Sequence, residues 1–280
     1  MKIPKVILQT TTFIAIISSK LTILFIAKLF RTPIKHTIPK RELEMDAKST
    51  QTLVEIPTIR KKVMVYEYGN SPNKILLAHG WSGRGTQLFK IADELLKIGY
   101  STISFDAPSH GKSPGRNTIM SEFVETILEI EKQFGPFEGA VGHSLGGMSL
   151  LNAAKKGLLT PRLVLIGSGD IVQDIIDNFV EKLKLDPFYG QRLRFHFEKK
   201  YKEKMDDYSG YKSAMALTIP VLVIHDKNDD EVLVKAGINI HKNLQHGELF
   251  LTEGLGHRKI LGNSNVIEKT VQFINTSQTK

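Results

Sequence analysis

A serine between glycines is the residue in this chain best suited to act as a nucleophile. Residues 142–146 fit the pattern G-x-S-x-G, with Ser144 at the centre. An apolar run precedes this stretch and a helix-compatible run follows it, which predicts a strand, a sharp turn that carries the serine, and a helix. The glycines suit a turn that brings backbone segments too close for a Cβ. A glycine-rich turn without chemistry is the alternative, so the rest of the chain must supply the partners.

A serine hydroxyl becomes a useful nucleophile only when an imidazole takes its proton and a carboxylate orients that imidazole. Asp229 follows one late predicted strand, and His257 follows the next. Ligands in open α/β sheets gather at the carboxyl ends of strands, so we expect both residues at the same sheet edge as Ser144. The chain order is therefore serine, acid, histidine.

The loop that carries Asp229 contains further acids. Asp226 is an alternative orienting carboxylate, although the distance from the strand end favours Asp229. Asp230 and Glu231 are expected to cap and charge the start of the following helix.

From residue 50 onward predicted strands and helices alternate, which indicates an α/β fold with a mostly parallel sheet. Strands are predicted at 54–56, 62–68, 75–78, 101–105, 139–141, 162–166, 219–224 and 248–251. Helices are predicted at 88–98, 117–134, 145–156, 232–244 and 266–274. Residues 171–217 interrupt the alternation with helical pieces rich in charge and aromatics, too long for an ordinary connection. We interpret them as a helical lid that shapes the pocket, with a surface insert as the alternative.

Composition narrows the classes of function. The chain has 280 residues with 41% apolar content, which suits one large domain with an insertion. It has no cysteine, which excludes thiolate metal sites and cysteine nucleophiles and fits a cytoplasmic location. The net charge of +9 would favour anionic membranes or acidic substrates. The basic residues form no convincing stripe with aromatics, so no nucleic-acid partner is expected, nor any metal or other cofactor.

Residues 6–30 are apolar but interrupted. A spanning helix over 13–30 would be barely long enough, and Lys20 near its centre would cost ~2.5–3.5 kcal/mol on insertion scales. An amphipathic helix fits better, with one apolar and one polar face. The apolar face would hold Phe13, Ile17, Leu21 and Leu24, and the polar face Thr11, Ser18 and Thr22. We therefore expect residues 1–49 to form an uncleaved helix and connector ahead of a domain at 50–280. Residues 6–30 would pack on that domain or contact a membrane peripherally.

The segment from about residue 60 to 275 resembles the α/β-hydrolase superfamily, and in particular bacterial esterase- or lysophospholipase-like members with a lid after the sixth strand. Five motifs carry the resemblance, namely HGWSG at 79–83, DAPSHGKS at 106–113, GHSLGG at 142–147, HDKND at 225–229 and GLGH at 254–257. Members usually carry glycine where Asp226 stands, so this chain departs from the pattern in the acid loop. His79, Asp106 and His110 are interpreted as loop-bracing residues.

The resemblance implies an α/β-hydrolase fold, with a mostly parallel central sheet flanked by helices, a helical lid insertion and an extra N-terminal helix. It implies Ser144 as nucleophile, His257 as general base and then acid, and Asp229 as the orienting carboxylate. The amides of Trp81 and Leu145 would form the oxyanion hole. The expected substrate is a small-molecule ester or acyl compound, cleaved through an acyl-enzyme. The alternatives are a thioester, an amide or a carbon–carbon bond, or a binding module that has the scaffold without the catalysis.

Overall fold

The computed structural model describes residues 3–276, and within them the strands form one eight-stranded sheet of order β1-β2-β4-β3-β5-β6-β7-β8. The strands are β1 Thr50–Ile56, β2 Lys61–Tyr68, β3 Lys74–Ala78, β4 Ser101–Asp106, β5 Gly139–His143, β6 Leu163–Ile166, β7 Val221–Asp226 and β8 Gly247–Thr252. The β1–β2 and β2–β4 pairs are antiparallel, and all the other pairs are parallel. This arrangement confirms the predicted α/β fold with a mostly parallel sheet.

Helices cover both faces of the sheet. They are α1 Lys5–Ile17, α2 Ser19–Phe30, α3 Leu43–Lys48, α4 Phe89–Lys97, α5 Met120–Phe134, α6 Leu145–Lys155, α7 Val172–Lys182, α8 Phe188–Tyr201, α9 Gly210–Ala214, α10 Lys235–Lys242, α11 Gly256–Lys259 and α12 Ser264–Asn275. Because successive residues of a strand point to opposite faces, a central strand buried on both sides is apolar throughout. In β7, Val223 packs in the core on the side of α5 and α6, and Leu222 packs on the side of α4 and α12.

The N-terminal region differs from the single helix and polar connector predicted for it. Ser18 adopts an extended backbone conformation, which ends α1, and its hydroxyl accepts the amide of Leu21 as the N-cap of α2. The connector contains α3, whose Met45 packs against the sheet and is 1% exposed. Buried Glu42 pairs with Arg84 at 2.8 Å, which ties the connector to the loop after β3. None of the helices within residues 3–276 is both long and apolar enough to span a membrane.

The segment between β6 and β7 contains α7, α8 and α9. Asp170 joins its two ends by accepting the amide of Tyr211 at 2.7 Å. The same carboxylate accepts the side-chain amide of Asn239 on α10 at 2.6 Å. The buried side chains of α7 and α8 share one apolar cluster with those of α2. This helical insertion and the N-terminal helices therefore pack together as one layer on the rest of the fold.

Candidate active site

Ser144 lies in the sharp turn between β5 and α6 that the sequence predicts. Its backbone has φ 53° and ψ −120°, a strained conformation for a residue other than glycine. Its amide donates to the carbonyl oxygen of Ile166 at 2.9 Å, which fixes the turn to the neighbouring strand. A Cβ on Gly146 would overlap the carbonyl oxygen of Ala78, so the first turn of α6 can lie against the end of β3 only with glycine there.

Asp229 and His257 form a direct hydrogen bond. Nδ1 of His257 lies 2.7 Å from Oδ2 of Asp229, and both side chains are buried. The other carboxylate oxygen accepts the amides of Glu231 and Val232 at 2.9 and 2.8 Å. Burial would raise the pKa of Asp229, but the hydrogen bond and charge of His257, together with the two amides, lower it below its ordinary value. The carboxylate therefore stays ionised and orients the imidazole, with Nδ1 as the donor.

Contacts through neighbouring residues link Ser144 to this pair. The ring centroids of His143 and His257 are 4.7 Å apart, and Nε2 of His143 donates to the carbonyl oxygen of His257 at 2.9 Å. Gly167 directly follows Ile166, whose carbonyl oxygen accepts the amide of Ser144. A Cβ on Gly167 would lie 3.3 Å from Nδ1 of His257, so the histidine ring is next to this part of the backbone. The turn and the Asp229–His257 pair thus lie side by side at the carboxyl ends of β5 and β6.

Asp226, the alternative acid, has a different set of partners. One of its oxygens accepts the amides of Asn228 and Gly256 at 3.0 and 2.9 Å. The other accepts the hydroxyl of Thr252 at 2.7 Å and the amide of Leu255 at 3.1 Å. Burial would raise the pKa of Asp226, but these hydrogen bonds lower it. Asp226 therefore holds the loop that leads to His257 and makes no hydrogen bond to its ring.

The loop after β3 carries the Trp81 amide that is expected in an oxyanion hole. Gly80 donates to Oε1 of Gln87 at 3.1 Å, Ser82 to Nε2 of His110 at 3.0 Å, and Gly83 to the carbonyl oxygen of Gly80 at 2.9 Å. Within residues 3–276, the Trp81 amide donates to no protein acceptor, and neither does the Leu145 amide at the start of α6. A Cβ on Gly80 would lie 3.0 Å from Cβ of Ser144, so this loop adjoins the turn.

Three polar side chains near the site brace these loops, as predicted from the sequence. Nδ1 of His79 donates to the carbonyl oxygen of Gly80, and its Nε2 accepts the amide of Ala107, the arrangement of a neutral ring. Burial lowers the pKa of His79 to about 4. His110 is neutral for the same reason, since burial lowers its pKa well below the ordinary value. Asp106 accepts the amides of Gly85 and Lys112 and the hydroxyl of Tyr66.

The prediction that Asp230 and Glu231 cap the next helix is wrong. That helix, α10, begins at Lys235, and its N-cap residue Val234 makes no side-chain cap. The side chain of Asp229 accepts the amides of Glu231 and Val232, so the intervening residues form a separate turn. Glu231 pairs with Arg258 at 3.0 Å.

Sequence reasoning missed two residues that support the site. His143 occupies a variable position of the G-x-S-x-G pattern, and no spacing signal points to its bond with the carbonyl oxygen of His257. Asn152, on the helix behind the serine, donates to the carbonyl oxygen of Tyr208 and accepts the hydroxyl of Ser213, which joins the helical insertion to α6. Within residues 3–276, no group of three or more His, Asp or Glu side chains is arranged to hold a metal ion.

Comparison with known proteins identifies the family to which the chain belongs. A family model described as "Alpha/beta hydrolase family" matches residues 75–257, and the chain belongs to that family. No curated protein matches the chain.

Solved structures share the fold at low sequence identity. An esterase from Exiguobacterium antarcticum is 18% identical, with a TM-score of 0.64 over 81% of this chain and 100% of the esterase. A monoacylglycerol lipase from Paleococcus ferrophilus is 16% identical, with a TM-score of 0.59 over 76% of this chain and 98% of the lipase. A bromoperoxidase from Bacillus anthracis is 14% identical, with a TM-score of 0.62 over 80% of this chain and 99% of the bromoperoxidase. Because these names differ, the shared fold alone does not determine the reaction.

Proposed function

We propose that this chain is a serine hydrolase that cleaves a carboxylic ester through an acyl-enzyme intermediate. The observation that carries the proposal is the 2.7 Å hydrogen bond from Nδ1 of His257 to Asp229, at the sheet edge where Ser144 occupies its strained turn. An imidazole that donates through Nδ1 to an ionised carboxylate has Nε2 free to accept a proton. Ser144 is the hydroxyl that the adjoining turn supplies.

In the proposed first step, Oγ of Ser144 attacks the ester carbonyl and passes its proton to Nε2 of His257. Asp229 stabilises the imidazolium that forms. The amides of Trp81 and Leu145 donate to the oxyanion, and the N-terminal end of α6 adds its positive dipole. His257 then protonates the leaving alcohol, which leaves the acyl group on Ser144.

In the second step, water replaces the alcohol. His257 removes a proton from the water, the hydroxide attacks the acyl carbonyl, and the proton returns to Oγ of Ser144 as the carboxylic acid leaves. The helical insertion, as a lid, would exclude bulk water and shape the pocket for the acyl group. An ester substrate agrees with the names of the esterase and the monoacylglycerol lipase that share the fold.

The test compares Ser144→Ala with a matched serine variant in the same helix. Ser149 is fully buried one turn further along α6, and its hydroxyl has no hydrogen-bond partner within residues 3–276, so Ser149→Ala is the control. We expect Ser144→Ala to abolish both hydrolysis of p-nitrophenyl esters and labelling by a fluorophosphonate, at unchanged thermal stability. Ser149→Ala should retain both. Full turnover in folded Ser144→Ala would contradict the proposal, and a parent protein that resists the probe would favour a non-catalytic scaffold.

A further inference from the structure

The first two helices carry several of their large apolar side chains outward. These residues lie on α1 and α2, and their side chains are between 49% and 81% exposed. We call them the outer face, which consists of Val6, Phe13, Ile16, Ile17, Leu21 and Leu24. The apolar stripe predicted from the sequence therefore points away from the protein. A helix that packs on a globular domain normally directs a polar side to water, so an apolar face toward solvent is unusual.

The opposite side of the helix pair is held by the protein. Thr11 and Thr22 are fully buried there, and their hydroxyls donate to carbonyl oxygens of the preceding turn at 2.7 and 2.9 Å. Ile23 and Ile26 pack in the cluster formed with α7 and α8. The helices are thus anchored through their inner side, and the outer face is left without a covering element from residues 3–276. A contiguous exposed apolar patch of this kind marks an interaction surface.

The charges on the two helices have one sign. Every charged side chain before Glu42 is a lysine or an arginine. Lys5, Lys20 and Lys28 lie on the two helices and are exposed. A second copy of the chain on this surface would bring two cationic patches together, whereas anionic lipid headgroups would neutralise them. Basic residues close to an anionic membrane are attracted to its surface charge.

We propose that the outer face docks on the surface of an anionic lipid bilayer, with α1 and α2 lying in the interfacial plane. Exposed apolar residues flanked by lysines are the features that hold such a helix at the boundary between headgroups and acyl chains.

The helix pair that carries this surface adjoins the candidate active site. The inner side of α2 packs in the same cluster as Met148, whose amide donates to the carbonyl oxygen of Ser144 at 3.2 Å. Beyond α2, the amide of Ile34 donates to the hydroxyl of Ser82 at 3.0 Å, one residue after Trp81. Docking would therefore hold the candidate active site beside the membrane. If the proposed function holds, on which this assignment rests, the substrates are acyl esters of membrane lipids.

The test is sedimentation of the full chain with vesicles of phosphatidylcholine and phosphatidylglycerol at 3:1, compared with phosphatidylcholine alone. The variant is Phe13→Gln/Ile17→Gln/Leu21→Gln. Its control is Leu159→Gln/Met215→Gln/Leu233→Gln, because these side chains are 71%, 57% and 57% exposed elsewhere on the protein. We expect the parent to prefer the anionic vesicles and the outer-face variant to bind about tenfold or more weakly. The control should bind within about twofold of the parent, and high salt should weaken binding.

The proposal is overturned if the parent binds neither vesicle, if the two triple variants lose binding equally, or if the outer face forms a dimer that the outer-face variant dissolves. Ser144→Ala separates this proposal from the proposed function, because it should bind vesicles like the parent. Vesicle binding together with full ester turnover in Ser144→Ala would contradict only the proposed function. Loss of turnover in Ser144→Ala, with no vesicle binding by the parent, would contradict only the docking surface.

Discussion

Asp226 accepts the amide of Gly256 at 2.9 Å, and Gly256 directly precedes His257. Asp229, in the same loop, instead accepts Nδ1 of the His257 ring at 2.7 Å. The two carboxylates therefore have different roles toward His257. Asp226 fixes the backbone that carries this histidine, and Asp229 orients its ring.

The separation of roles predicts different defects in two matched variants. Asp229→Asn should lower kcat by about 10³–10⁴-fold with little loss of stability, because the amide favours the wrong histidine tautomer. Asp226→Asn should cost about 1–3 kcal/mol of unfolding free energy, because backbone amides lose a charged acceptor. Its kcat should fall much less. Steady-state kinetics and urea unfolding measure the two effects, and the reverse pattern would assign the orienting role to Asp226.

The sequence was sufficient to predict the sheet edge at which these groups meet, because Ser144, Asp229 and His257 each follow an apolar strand. It could not separate Asp226 from Asp229, since that choice depends on which amides the loop turns toward each carboxylate. The start of α10 was misjudged for a related reason. Asp229 caps the amides of a separate turn, and this turn delays the helix to Lys235.

The N-terminal helices set another limit on sequence reasoning. The spacing of Phe13, Ile17, Leu21 and Leu24 indicates an amphipathic segment, but periodicity does not say which face is buried. Thr11 and Thr22 can be buried because their hydroxyls bond to carbonyl oxygens of their own helices. This local solution allows the threonine side to pack inward and leaves Phe13, Ile17, Leu21 and Leu24 exposed.

Gly146 should tolerate no side chain. Since a Cβ there would overlap the carbonyl oxygen of Ala78, Gly146→Ala should push α6 away from the end of β3. We expect a loss of about 1–3 kcal/mol of unfolding free energy, the usual cost of overpacking, together with lower ester turnover. Gly262→Ala is the control, because its Cβ would lie no closer than 3.5 Å to Nζ of Lys90. Equal stability of the two variants in urea unfolding would show that the contact between turn and strand is loose.

His110 should support the proposed oxyanion hole from a distance. Its Nε2 accepts the amide of Ser82, and its ring packs edge-on against Trp81. His110→Phe keeps an aromatic ring but removes the acceptor, so the Trp81 amide should lose its fixed position. We expect kcat to fall about 10–100-fold, with a parallel loss of affinity for a boronic acid inhibitor. His246→Phe, at an exposed position, is the control. A change in KM alone would argue against a role of His110 in positioning the oxyanion donors.

Buried neutral histidines should make the protein sensitive to mild acid. Burial lowers the pKa of His79 to about 4, and burial together with the charge of His257 lowers that of His143 to about 3. Below the ordinary histidine pKa near 6.5 the unfolded chain therefore binds protons that the folded protein does not, and stability falls as pH falls. The lowered pKa values of Asp226 and Asp229 act in the same direction, but only below about 3.8. The loss of stability caused by the buried histidines is therefore expected between about pH 6.5 and 4, above the range in which the two aspartates act.

Asp106 and Asp170 oppose this trend, because burial raises their pKa values, so the measurement must be made residue by residue. In NMR titrations, the His79 ring should not titrate above pH 5. In urea unfolding between pH 6.5 and 5, His79→Gln should reduce the slope of stability against pH by up to about 1.4 kcal/mol per pH unit, the equivalent of one proton. His36→Gln, at an exposed position, is the control variant. A His79 ring that titrates near 6.5 in the folded protein would mean that water reaches it, and the brace between the loops after β3 and β4 would then have to open in solution.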